Sequence, residues 1–110
     1  MNLKIEVSLS SLLHYAAIVG FGFTDRLMQV AEEAAELIQA AAKLARIKAG
    51  DNPAAVSREQ AMQNLVEEIA DVKIAIDALQ LDDILPNRAV EEVEREKLDR
   101  WFERVKEGRA

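Results

Sequence analysis

The sequence has no cysteine, which excludes a disulfide framework, a zinc–thiolate site and a thiol nucleophile. It has a single histidine, His14, so the two Glu-x-x-His motifs of a helical di-iron carboxylate site are missing. His14 reads as a helix-surface or packing residue. Cationic excess is missing too: 14 Lys and Arg against 20 Asp and Glu leave a net charge of −6. That balance argues against a nucleic-acid binder that works by neutralising phosphates. No run is long enough to span a bilayer; the most apolar one, residues 12–23, is short and interrupted by His14, Gly20 and Gly22. The first six residues carry one lysine and an early glutamate, unlike a signal peptide. The expectation is a soluble, cytoplasmic protein with no membrane partner.

What the chain does have is apolar residues, at 50%, and 110 positions, enough for one domain spanning 1–110 with one modest core. The most informative stretch runs from Val30 to Ile38. Val30, Ala34, Leu37, Ile38 and Ala41 recur at the 3.6-residue period of an amphipathic helix. Glu33 and Glu36, three apart, are neighbours on one flank of it, about 80° and 140° from the centre of that apolar face. The flank is not a solvated one, since Leu37, Ala40, Leu44 and Ile47 run along it. A second stretch, 35 residues on, repeats the arrangement: Glu68 and Asp71 flank a face of Met62, Leu65, Ile69, Val72, Ile76 and Leu79. Ala40 and Ala75 match as well. If the two helices pack side by side, four carboxylates converge at one place, and like charges so gathered call for a cation. Oxygen-only ligands select hard divalent ions, Mg²⁺ or Mn²⁺.

In chain order, residues 1–7 alternate weakly and read as an extended lead-in. A short first helix follows over about residues 8–19, capped by Ser8 or Ser10 and ended by Gly20 and Gly22. Thr24 is the expected N-cap of the long second helix, which runs to about Ala49 before the Gly50-Asp51-Asn52-Pro53 turn. Ser57 with Gln60 resembles a capping box and starts a third helix that continues to about Leu81. Pro86 suits the first turn of a fourth, with Val90, Val93, Leu98, Trp101, Phe102 and Val105 as its apolar positions, and Glu107 to Ala110 as a frayed tail. The expected fold is all-α: a four-helix-type bundle with two long central helices. Those two are apolar around so much of their circumference that oligomerisation, to a homodimer or homotetramer, is expected to complete it.

Glu32-Glu33-x-x-Glu36 followed by Glu68-x-x-Asp71 resembles the EExxE…ExxD signature of the MazG-like all-α nucleoside triphosphate pyrophosphohydrolases. The wording around both motifs, and Phe21-Gly22-Phe23 ahead of the first, is similar as well, over about residues 20–105. The 31 residues between Glu36 and Glu68 slightly exceed the usual gap. The resemblance implies that Glu33, Glu36, Glu68 and Asp71 hold Mg²⁺ and that the substrate is a nucleoside triphosphate, split to the monophosphate and pyrophosphate. It makes Glu32 a candidate general base or second-metal ligand. Lys97 and Arg100 resemble the basic segment near the end of family members, and are candidates for phosphate binding. The rival expectation is a non-catalytic helical protein that oligomerises through its apolar faces.

Overall fold

The computed structural model describes residues 11, 22–50, 57–80 and 87–108. The described residues form three helices and no strand: α1 (Phe23–Lys48), α2 (Arg58–Leu79) and α3 (Asn87–Lys106), the second to fourth of those expected. The expected lead-in and first helix, His14 with them, lie outside the described residues, except Ser11, which is helical. Pro86 and Leu81 also lie outside. None of the described helices is long and apolar enough to cross a membrane.

The α1 start differs from expectation. Gly22, not Thr24, is the N-cap, and its N–H donates to the Asp25 carboxylate at 3.1 Å. Phe23 at the first helical position packs its ring beneath the Arg26 guanidinium, 5.7 Å away, which anchors a turn that a Thr24 cap would have left out. At the other end Gly50 takes φ +78°, the left-handed conformation that glycine adopts at no steric cost, and its N–H reaches Ile47 O. Ser57 caps α2 as expected, accepting from the Gln60 N–H at 3.1 Å. Beyond α3 the expected fraying does not begin at once: Glu107 and Gly108 form a hydrogen-bonded turn.

α1 and α2 pack against each other. The nine residues 49–57 reach at most about 30 Å, less than the roughly 39 Å length of α1, so the chain must turn back and the pair is a helical hairpin. The buried and half-buried residues of α1 that form its seam are Arg26, Val30, Glu33, Leu37, Ala40 and Leu44. On α2 they are Ala61, Leu65, Glu68, Val72, Ala75 and Leu79. Each member of the second set stands 35 residues after its counterpart in the first, and both follow the alternating three- and four-residue spacing of a coiled-coil seam. Alanines are among its best-buried members, Ala61 at 2% and Ala40 at 3% exposure, so the two backbones approach closely around the glutamates.

The seam corrects the expected core face. Ile38, placed near the centre of that face, is 69% exposed, and Met62, Ile69 and Ile76 are exposed on α2. The flank carrying Glu33 and Glu68 is the packed one. Among the described residues α3 makes no packing contact with α1 or α2, and its side chains from Arg88 to Lys106 are all exposed. The chain exposes 8521 Å², where a folded monomer of 12.2 kDa would expose about 6,000 Å². Its radius of gyration is 17.5 Å, against about 13 Å for a compact domain of this length. The all-α class holds; a four-helix bundle is not formed by the described residues of one chain.

Candidate metal centre

Glu33 and Glu68 occupy equivalent seam positions at the middle of the hairpin, and Glu36 lies one turn on from Glu33. One carboxylate oxygen from each of Glu33, Glu36 and Glu68 lies within 4.8 Å of the other two. Asp71 stands outside that trio, yet its charge acts on both Glu33 and Glu68. All four acids singled out in the sequence therefore share one neighbourhood, three of them within ligand distance of a common point.

Packing has sequestered two of the acids where it cannot satisfy them. Glu33 Oε1 accepts from the Gln29 amide at 2.8 Å, but Glu33 Oε2 and Glu68 Oε2 are both buried with no hydrogen-bond partner. A buried carboxylate oxygen left bare is costly, so it implies a missing proton or cation. The Glu33 carboxyl is accordingly held above its ordinary pKa, first by burial, then by the charges of Glu36 and Asp71, with the Gln29 bond opposing and Glu32 adding slightly. Glu68 is raised too, first by burial, then by the charge of Glu36, a hydrogen bond shared with that carboxyl, and Asp71 and Glu33. A hydrogen bond between two carboxyls requires a proton on one of them. Without a cation the site is therefore driven to hold protons.

The other candidates fall elsewhere. Glu32 is exposed at the margin of the cluster. Glu67 is exposed, as expected of it, with the Gln63 amide 3.5 Å away. Lys97 and Arg100 lie on α3, which the described chain does not bring to the hairpin. Trp101, for which packing was the favoured role, is 54% exposed, and Leu98 is exposed as well. One contributor went unnoticed in the sequence: Gln29, four residues before Glu33 and so on the same helical stripe, a spacing that could have flagged it.

An oxygen-only donor set on two rigid helices, with two buried oxygens unpaired, suits a hard divalent cation. No family model matches this chain, and neither curated proteins nor solved structures give a match to it.

Proposed function

We propose that this chain is a metal-dependent nucleoside triphosphate pyrophosphohydrolase, acting on an NTP or dNTP with Mg²⁺, or Mn²⁺, held by Glu33, Glu36, Glu68 and Asp71. The observation that carries the reading is the convergence of Glu33, Glu36 and Glu68 from two helices with Glu33 Oε2 and Glu68 Oε2 buried and unpaired. The motif resemblance gives it the substrate class. When bound, the cation supplies charge neutralisation at phosphate oxygens and a lowered pKa for a water. The chain's own residues do the rest. Gln29 fixes one oxygen of Glu33 and leaves the other aimed into the cluster. The alanines of the seam hold the two backbones at a fixed spacing. Glu32, at the exposed edge, takes the proton released as water oxygen bonds to phosphorus and the α–β anhydride bond breaks, with pyrophosphate leaving. Lys97 and Arg100 neutralise the polyphosphate. The reading implies a cytoplasmic site of action, where nucleoside triphosphates are, and an oligomer whose apolar faces complete the bundle.

The test is a panel of canonical and damaged NTPs and dNTPs with Mg²⁺, scored for pyrophosphate rather than orthophosphate. Wild type releases pyrophosphate and Glu36→Gln does not, while its metal-free fold is unchanged or firmer for losing a repelling charge. Absence of turnover across the panel, or near wild-type turnover in the variant, refutes the reading.

The bare apolar residues of α3 and the surplus surface favour a second reading, a non-catalytic helical protein that oligomerises. Melting with and without Mg²⁺ separates the two, because a ligand that binds only the folded state raises its stability. An interaction protein has no reason to respond.

A further inference from the structure

α3 segregates its charges. Lys97, Arg100 and Arg104 share an arc of about 120° with Val90, Val93 and Trp101. Only Glu94 among its acids falls within that arc; Glu91, Glu92, Glu96, Asp99 and Glu103 turn to the other side. The arc lines an open groove of about 1320 Å³ and meets neither α1 nor α2 of its own chain. The hairpin has the complementary property. About 60° round from Glu33 and Glu68, Glu36 and Asp71 point to one side of the seam, with Ile74 exposed beside Asp71. The surplus of about 2,500 Å² over a compact monomer exceeds the roughly 800 Å² per partner of a standard interface.

We propose that the occupant of this face is a second copy of the chain: α3 of one copy seats along the acid side of the other copy's hairpin. The Lys97–Arg100–Arg104 stripe then faces Glu36 and Asp71, and the acids and cations of one site come from different chains. As a statement about hydrolysis it rests on the pyrophosphohydrolase reading; as a statement about assembly it does not.

Two arms separate those claims. In the first, a Lys97→Ala/Arg100→Ala chain and a Glu36→Gln chain, each inactive alone, are unfolded together and refolded. For a two-fold dimer half the assemblies are mixed, and each has one intact site of two, so about a quarter of the wild-type rate returns. No recovery, with wild type active and both variants helical, overturns the proposal. In the second arm, which needs no activity, the absence of native cysteine is used: Arg100→Cys and Asp71→Cys chains carrying different tags are mixed with a short bis-thiol cross-linker. The expected product joins the two tags. If only unlinked or same-tag chains result, the seat is wrong even if the enzyme turns over; if the mixed product forms while wild type hydrolyses nothing, the seat stands and the functional reading fails.

Discussion

Ala61→Leu tests the seam most directly. Ala61 is 2% exposed and faces the region of α1 near Ala40, itself 3% exposed, so three added carbons have no room without moving a helix. Overpacking of a filled site costs about 1–3 kcal/mol. For a domain of this size that lowers Tm by roughly 4–20 °C, at some 4–8 °C per kcal/mol. The substitution should also spread the hairpin at its middle, where the oxygens of Glu33, Glu36 and Glu68 now lie within 4.8 Å of one another. The gain in Tm on adding Mg²⁺ should therefore shrink in the variant. Ala70→Leu is the control: Ala70 is exposed on the far side of the same helix, and leucine there should leave both quantities nearly unchanged. The assay is thermal melting followed by far-UV circular dichroism, over a Mg²⁺ titration. If Ala61→Leu melts like wild type and responds to Mg²⁺ as strongly, the hairpin does not pack through that seam.

The raised pKa values of Glu33 and Glu68 fix a sign: the folded state binds protons more readily than the unfolded one, so metal-free stability falls as pH rises from about the ordinary value of 4.5, and Mg²⁺ should reverse the loss. A metal-free Tm that climbs steadily over that interval would contradict the clustering. Gln29→Ala removes the one bond that favours the charged form of Glu33, so Mg²⁺ should bind more weakly, most visibly at acid pH; calorimetric titration at two pH values reads this. Light scattering at micromolar concentration should give a mass above one chain, and Ile38→Glu, at a site 69% exposed, should lower it if α1 contributes an apolar interface. A monomer mass for wild type would remove the oligomer.

The helix types, most of their ends and the acid positions could be read from periodicity and capping residues. Ser57 and Gly50 act as their chemistry dictates. The packing direction could not, for a specific reason. α1 and α2 each carry two apolar surfaces, the seam and a second one holding Ile38, or Met62, Ile69 and Ile76. A periodicity vector points between them, and large branched residues dominate it while Ala40, Ala61 and Ala75 weigh little. Yet those alanines are the packed ones, because helices approach closest where side chains are smallest. The 35-residue echo carried the information that hydropathy lost: aligning Glu33 with Glu68 also aligns every member of the seam. The separation of α3 from the hairpin had no signal in the sequence, since its amphipathic pattern fits an own-chain or a foreign partner equally well.

The seam has a weakness of register. With Glu33 level with Glu68 in a hairpin, Ala40 comes level with Ala61 and Arg26 with Ala75. Sliding one helix by seven residues would set each glutamate against an alanine or Arg26 and leave the repeat of knobs and holes intact. Without a cation the slipped alignment relieves repulsion, so hydropathy does not select the alignment seen and charge opposes it. What resists is the short connection between Lys48 and Arg58, which cannot feed a slide of about 10 Å without being redrawn. A cation shared by the acids would add a second pin, because only one alignment brings them together. Metal binding and strand-for-strand choice of partner positions are then the same event, and loosening the 49–57 connection should make the hairpin depend on the ion for its alignment.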